Sequence, residues 1–275
     1  MRNEAVAGSF YPEDRKALNS FIENSLKEAK VDANAVKSAY AFVAPHAGYI
    51  YSGKTAAYTY KAISLNSRLN EIETVIVIGP NHTGFGRAIS VSLDDWRTPI
   101  EIARNDRAFS KALADASGSI SIDESAHRLE HSVEVQLPFA QSVLPNRKFT
   151  FVCMGDQGLD YSRALSEAIL KAEAETSRKI AVIASSDFDH YESAEIARKK
   201  DTKLLNAISR LDSASFNKLI DELNDSACGY GPITVAMLYA LGKGAGRGVL
   251  LDYSNSGDAM GDYSSVVAYA SLAFV

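Results

Sequence analysis

The chain has 275 residues, 46% of them hydrophobic, and a formal net charge of −5 at pH 7. This is enough apolar material for the core of one domain spanning residues 1–275, and the acidic balance argues against nucleic-acid binding. No apolar run is long enough for a membrane helix, the N-terminus is too polar for a signal peptide, and two cysteines are too few for a disulfide framework. We therefore expect a cytoplasmic protein with no nucleic-acid or membrane partner.

Helical and strand-like segments alternate along the chain. An amphipathic pattern predicts a helix over residues 12–30, and an apolar run predicts a short buried strand at 39–44. The remaining elements follow the same plan: a helix over 53–65, a strand from 73, a strand pair within 88–102, helices over 105–117 and within 125–143, a strand from 148, a helix over 160–176, a strand from 178, helices over 192–224 and 228–243, and strands within 248–258 and 264–275.

This alternation predicts an α/β fold. Continuous Val and Ile runs are typical of strands that are buried on both faces of a parallel sheet. The segment AISVSLDDWRTPIEI looks like an antiparallel addition to that sheet. We therefore predict a three-layer α/β/α sandwich whose central sheet is mixed but mainly parallel.

Polar side chains follow three of the predicted strands. His46 lies in APHAGYIYSG, His82 lies in GPNHTGFG, and Asp187 and His190 lie in SSDFDHY. Ligand sites of open α/β sheets collect at the carboxyl ends of the strands, so these side chains should meet at one edge. Taken singly, each histidine is more simply explained as a loop residue. Together, two imidazoles and an anionic ligand are typical of a mononuclear catalytic metal site.

The anionic ligand has several candidates, namely Asp187, Asp189 and Cys228. One aspartate of SSDFDHY is explained as a helix N-cap, but two acids and a histidine exceed what capping needs. Cys228 lies in a Gly-rich turn before a helix, where a helix N-terminus would lower the pKa of its thiol. Cys153, inside FTFVCMG, is better explained by packing in the core.

Residues 127–131 read HRLEH and raise a competing hypothesis. The pattern H-x-x-E-H is the metal-binding core of one class of zinc peptidases. On a helix, His127 and His131 could chelate zinc, with Glu130 as the general base. This hypothesis leaves His46, His82 and SSDFDHY without a role, and the alternative is a plain amphipathic helix with Glu130 and Glu134 solvated.

Seven stretches in order resemble a known family: AGSFYP, PHAGYIYSG, GPNHTG, DDWRTPIE, EHSVEVQLPF, SSDFDHY and CGYGPI. They span residues 7–233 and are similar to the Memo family, also called AmmeMemoRadiSam system protein B. That family is similar in fold to class III extradiol dioxygenases, which hold non-haem iron in an α/β/α sandwich. The resemblance implies metal ligands at His46, His82 and Cys228, with Asp187, His190 and His131 beside the metal. His127 matches no motif position.

The resemblance leaves the reaction open. A thiolate ligand is softer than the carboxylate of extradiol enzymes and would accept iron, copper or zinc, so fold analogy does not fix the chemistry. One hypothesis is a metal-dependent redox enzyme. In it, His131, Asp187 and His190 line the unligated side of the metal as proton donors, proton acceptors or residues that orient the ligands. Tyr49, Tyr51 and Tyr191 would shape the entrance for the substrate. The other is a binding module for a small molecule or peptide, with radical-SAM and AMMECR1-like proteins as pathway partners.

Overall fold

A nine-stranded mixed sheet forms the centre of the molecule in the computed structural model, which describes residues 1–275. The strands are β1 (Ala41–Ala44), β2 (Thr74–Pro80), β3 (Ile89–Ser92), β4 (Trp96–Arg97), β5 (Ile102–Ala103), β6 (Ile120–Ile122), β7 (Lys148–Met154), β8 (Ile180–Ser185), β9 (His190–Glu192), β10 (Gly248–Asn255) and β11 (Val266–Phe274). The sheet order is β10-β11-β1-β8-β2-β7-β3-β6, with β9 paired to β11 and a separate hairpin of β4 and β5.

The four central strands run parallel. β1 pairs with β8, β8 with β2, and β2 with β7, all in parallel register, whereas β11 and β3 pair antiparallel at the two borders of this group. Because parallel neighbours end at the same edge, the loops after β1, β2 and β8 come together there. The antiparallel strand predicted within AISVSL is β3, and the mixed, mainly parallel sheet is confirmed.

Helices cover both faces of the sheet. Alternate residues of β2 point to opposite sides: Ile76 and Ile78 pack in one core, and Val75 and Val77 pack in the other. The first core includes side chains of α4 (Arg107–Asp115), α6 (Leu159–Thr176), α7 (Ala194–Ser209), α8 (Ser213–Leu223) and α9 (Tyr230–Gly242). The second includes side chains of α1 (Arg15–Glu28), α2 (Ala33–Val36), α3 (Tyr49–Ser64) and α5 (Leu137–Val143). The three-layer sandwich is therefore confirmed.

Two parts of the chain differ from the prediction. The helix that was to carry HRLEH does not form: single 3₁₀ turns at Glu124–Ala126 and Glu134–Gln136 flank an irregular turn, and α5 begins only at Leu137. Hydrogen bonds from Arg2 to the backbone carbonyls of His127 and Glu130 take the place of helical ones. His190 belongs to the short strand β9 and not to a loop.

The tenth helix, α10 (Gly257–Met260), lies between the last two strands. None of the ten helices combines the length and the apolar composition that crossing a bilayer requires.

Candidate metal centre

A cavity of about 500 Å³ lies at the carboxyl edge of the parallel strands. His46 follows β1, His82 follows β2 and Asp187 follows β8, and all three line this cavity. His131, from the irregular turn before α5, and His190, from β9, line it as well. The prediction that separate strand ends deliver their polar side chains to one place is confirmed.

The imidazole of His46 is buried and held in one orientation. Its Nδ1 lies 2.8 Å from the hydroxyl oxygen of Ser185. That hydroxyl donates its single proton to the carbonyl oxygen of Ser132 at 2.7 Å and accepts a hydrogen bond from Nε2 of Gln136 at 2.8 Å. Because the hydroxyl proton is already committed, Nδ1 of His46 must carry a proton and donate it. The free lone pair of His46 is therefore on Nε2.

His82 is fixed in a comparable way by Glu130. The carboxylate of Glu130 is fully buried and accepts from the backbone N–H of His82 at 2.6 Å and from its ring Nδ1 at 2.9 Å. The amides of His131 and Ser132 also donate to this carboxylate. Burial opposes ionisation of Glu130, but the hydrogen bonds from His82 and Ser132 outweigh it and lower its pKa. With Nδ1 engaged, His82 keeps its lone pair on Nε2, as metal-binding histidines do.

Two groups of side chains lie close enough to share a metal ion. The first is His46, His82 and His131, and the second is His46, Asp187 and Cys228, with the ligand atoms of each group within 4.8 Å of one another. The rings of His82 and His131 stack with centroids 4.5 Å apart. Neither group contains both His82 and Cys228. The resemblance implies those two residues as joint ligands with His46, and His46 is the residue that both groups share.

Asp187 and Cys228 both contact His46 directly. An oxygen of Asp187 accepts from the backbone N–H of His46 at 2.7 Å, and the thiol sulfur of Cys228 lies 3.1 Å from Nε2 of His46. Burial raises the pKa of Asp187 to about 6. The expected lowering of the thiol pKa is wrong in this structure, because burial and the nearby Asp187 raise the pKa of Cys228.

His190 lines the cavity without belonging to either group. Its backbone N–H donates to the hydroxyl of Ser226, and its ring Nδ1 is buried with no hydrogen-bond partner. Burial lowers the pKa of His190, so the ring is neutral at pH 7. An unpaired buried ring nitrogen beside a cavity is costly unless a ligand or a proton transfer uses it.

The two histidines of HRLEH do not form one site. His127 is buried against Trp96, with ring centroids 5.6 Å apart, and neither of its ring nitrogens has a hydrogen-bond partner. His131 reaches the cavity, and Glu130 is committed to holding His82. The geometry of the peptidase hypothesis, with two imidazoles on one helix and a free glutamate between them, is therefore contradicted.

Comparison with known proteins identifies the family of this chain. The family model described as "Memo-like protein" matches residues 2–273. A MEMO1 family protein of Methanopyrus kandleri is 41% identical, over 99% of this chain and 98% of the relative. A MEMO1 family protein of Archaeoglobus fulgidus is 42% identical, over 100% of this chain and 99% of the relative. The chain belongs to the Memo family.

A solved structure supports the fold of this Memo family chain. An uncharacterized protein, JW3007 of Escherichia coli K12, superposes with a TM-score of 0.52 over 84% of this chain and 99% of its own, at 12% sequence identity. At that identity the likeness concerns the fold alone.

An N-terminal segment braces the turn beside the cavity of this Memo family chain, and sequence reasoning missed it. The guanidinium of Arg2 is buried, stacks 4.0 Å from the ring of Trp96 and donates to the carbonyls of His127 and Glu130. It also pairs with the carboxylate of Glu134 at 2.6 Å. Arg2 therefore holds the turn that carries Glu130 and His131. No local pattern around Arg2 indicates this role, because its hydrogen-bond partners His127, Glu130 and Glu134 lie more than 120 residues away in the sequence.

The walls of the cavity are largely apolar. Phe10 packs on the ring of His131 with centroids 4.7 Å apart, and the C-terminal part of the chain supplies further apolar surface. Among the tyrosines named from sequence, Tyr51 lines the cavity, whereas Tyr49 is buried and donates to the carbonyl of Val135, and Tyr191 is 81% exposed. The apolar lining residues are Phe10, Ala47, Tyr51, Met260, Val267 and Tyr269.

Proposed function

We propose that this Memo family chain binds one iron or copper ion in the cavity and uses it for redox chemistry on a small molecule. The observation that carries the proposal is the fixed protonation of two imidazoles. Ser185 and Glu130 hold Nδ1 of His46 and His82, so each ring offers Nε2 to the cavity side. Such outer hydrogen bonds are a regular feature of metal-binding histidines and raise their basicity.

The donor set fits a redox-active transition metal better than magnesium or calcium. Magnesium and calcium prefer oxygen ligands, whereas imidazole suits iron, copper and zinc, and thiolate suits copper(I) and zinc. His46 is common to both ligand groups, and the remaining ligands come from His82, His131, Asp187 and Cys228. A bound iron or copper ion would supply one-electron chemistry.

The protein's own residues would bind the substrate and move its protons. The apolar walls exclude water and favour a small ligand with apolar surface. His190 is neutral and has an unpaired Nδ1, so it would accept or donate a proton next to the ion. Neither Lys nor Arg is among the cavity-lining residues, so the cavity is a poor match for a phosphorylated peptide.

Oxygen uptake by the metal-loaded protein tests this function. We expect iron- or copper-loaded wild-type protein to consume oxygen in the presence of a reducing small-molecule substrate. His190→Asn should bind the same amount of metal but react about 10²–10⁴-fold more slowly, as expected for loss of a general acid or base. Equal rates for wild type and His190→Asn would refute the role of His190. An absence of bound metal in wild type would refute the function itself.

A further inference from the structure

Three carboxyl groups are buried together where β9, α7 and the segment 224–229 between α8 and α9 meet. Asp189, Asp201 and Asp225 are 1%, 0% and 8% exposed, and none of them lines the cavity. The ammonium of Lys200 lies 3.4 Å from Oδ2 of Asp189, but it forms no ion pair with the other two. Because an unpaired carboxylate is costly to bury, the charge of Asp201 and Asp225 requires another explanation.

The hydrogen bonds of the two unpaired carboxyl groups differ. In Asp201 both oxygens are acceptors: Oδ1 accepts from the backbone N–H of Asp189 at 3.3 Å, and Oδ2 accepts from the hydroxyl of Tyr253 at 2.6 Å. In Asp225 only Oδ1 is an acceptor, from the amide of Ala227 at 2.9 Å. Its Oδ2 is buried and accepts no hydrogen bond. This is the arrangement expected if Oδ2 of Asp225 carries a proton and Asp201 is ionised.

Asp201 is the acceptor for that proton. The side chains of Asp201 and Asp225 are in hydrogen-bonding contact. Two ionised carboxylates are acceptors only, so a hydrogen bond between them requires one proton. Burial raises the pKa of Asp201 to about 8 and that of Asp225 to about 6, and the nearby Asp189 adds to both shifts. The pair therefore holds one proton at pH 7.

No neighbouring cation takes the place of this proton. Lys200 is engaged by Asp189 and, at 3.1 Å, by Glu192. The guanidinium of Arg198 lies 4.2 Å from the centroid of the Tyr253 ring and packs on that ring. The titratable and charged groups that face the pair are Asp189 before β9, Glu192 of β9, Arg198 and Lys200 of α7, and Tyr253 of β10.

The position of Asp225 makes the pair a fastening for its segment. Its neighbours Asn224 and Ser226 are exposed, and Asn224 has a left-handed backbone with φ of 46°. The hydroxyl of Ser226 accepts from the backbone N–H of His190 at 2.7 Å. A short movement about Asn224 would therefore bring the carboxylate of Asp225 into water and withdraw the support that Ser226 gives to β9.

We propose that Asp225 donates a shared proton to Asp201 and that this hydrogen bond is a pH-sensitive latch on the segment 224–229. While the proton is present, the segment is closed on α7 and Ser226 supports β9. When it is lost at higher pH, the two carboxylates repel each other, Asp225 turns to solvent and the segment opens. The latch goes beyond the metal-binding function proposed above and does not depend on it.

Urea unfolding of the purified protein at pH 6 and pH 8 tests the shared proton. Both pKa values are raised in the folded state, so the native protein binds about one proton more than the unfolded chain in this range, and stability falls as pH rises. The pair should increase the equilibrium constant for unfolding about 100-fold between pH 6 and pH 8. Asp225→Asn keeps a donor to Asp201 at every pH and should lose this part of the pH dependence.

Two further variants make the comparison specific. Asp221→Asn, on the exposed side of α8, should keep the wild-type pH dependence. Asp201→Asn has one side-chain oxygen for two donors, the amide of Asp189 and the hydroxyl of Tyr253, so it should be less stable than Asp225→Asn at pH 6. Titration of the histidines is common to all four proteins and cancels in the comparison.

Hydrogen exchange tests the opening of the segment. After correction for the chemical exchange rate, the peptide that contains residues 224–229 should lose protection between pH 6 and pH 8 in wild type but not in Asp225→Asn. Infrared absorption of wild type needs no variant: a protonated carboxyl band should be present at pH 7 and disappear as the pH is raised.

Three results would overturn the latch. These are absence of the protonated carboxyl band at pH 7, equal pH dependence of unfolding in wild type and folded Asp225→Asn, and unchanged protection of the segment at pH 8. If Asp225→Asn does not fold, the infrared band and the exchange of wild type still decide the question. No measurement here involves a metal, so failure of the latch leaves the proposed function untouched.

Discussion

Replacing Glu130 by Gln should weaken metal binding without unfolding the protein. The carboxylate accepts hydrogen bonds from the backbone and ring of His82 and from the amides of His131 and Ser132. A carboxamide has one oxygen and one NH₂ group, so at least one buried donor of this set would face another donor. The substitution also removes the negative charge that supports the proton on Nδ1 of His82.

The size of the effect follows from these contacts. Hydrogen bonds to charged groups contribute about 1.5–3 kcal/mol, and a buried N–H left without an acceptor costs about 1–3 kcal/mol. We expect Glu130→Gln to lower the free energy of unfolding by about 1–3 kcal/mol. Loss of an outer-shell partner lowers metal affinity about 10–100-fold, which corresponds to about 1.4–2.8 kcal/mol of binding free energy.

Glu124→Gln is a suitable control for this experiment. Glu124 accepts from the hydroxyl of Ser92 and the amide of Leu93 and lines no part of the cavity, so its replacement perturbs the same region without contacting His82. Competition with a coloured chelator measures cobalt(II) affinity, and urea unfolding measures stability. Wild-type affinity in folded Glu130→Gln, or an equal loss of affinity in both variants, would refute the role assigned to Glu130.

Three further substitutions test the surroundings of the site. Burial and the neighbouring Arg2 lower the pKa of His127 to about 4. In the unfolded chain the same imidazole has a pKa near 6.5, so on acidification it is protonated before the native state is. The free energy of unfolding therefore falls by up to about 3 kcal/mol between pH 6.5 and pH 4. Urea unfolding of His127→Phe at the two pH values should show that this contribution to the fall in stability is gone. The number of metal ions bound per chain should not change. Arg2→Lys loses the planar guanidinium that reaches His127, Glu130 and Glu134 at once, and it should lower the unfolding free energy by about 1.5–3 kcal/mol with a measurable loss of cobalt(II) affinity. Wild-type stability and affinity in Arg2→Lys would contradict this role of Arg2. Gly79→Ala places a Cβ against the side chain of Ser132 and should cost about 1–3 kcal/mol in thermal unfolding, whereas Gly118→Ala, with open space around it, should not be destabilising.

The fold was predictable because its signals are local. Continuous apolar runs between amphipathic segments predicted the parallel strands and both helical layers, and the polar residues after three strands predicted the edge where the site lies. HRLEH was misjudged for the opposite reason. Its spacing fits a helix, but a long-range partner, Arg2, supplies the hydrogen bonds that hold it as an irregular turn.

The ligand geometry was less accessible from sequence. Motif resemblance named His46, His82 and Cys228 as joint ligands, and that assignment stays a prediction, because a linear motif carries no distances between side chains. The outer partners were missed as well: Ser185 and Gln136 orient His46, and neither is among the candidate residues named from the sequence. Their roles depend on which donor and acceptor atoms the fold brings together, which no linear pattern records.

The central claim is that His46 is the indispensable ligand of a single metal ion. Its most direct test is metal content after anaerobic loading and desalting, measured by mass spectrometry in wild type, His46→Gln and His127→Gln. We predict one ion per chain in wild type and His127→Gln, and none in His46→Gln, with iron(II) and with copper(I) alike. Full occupancy in folded His46→Gln would contradict the account.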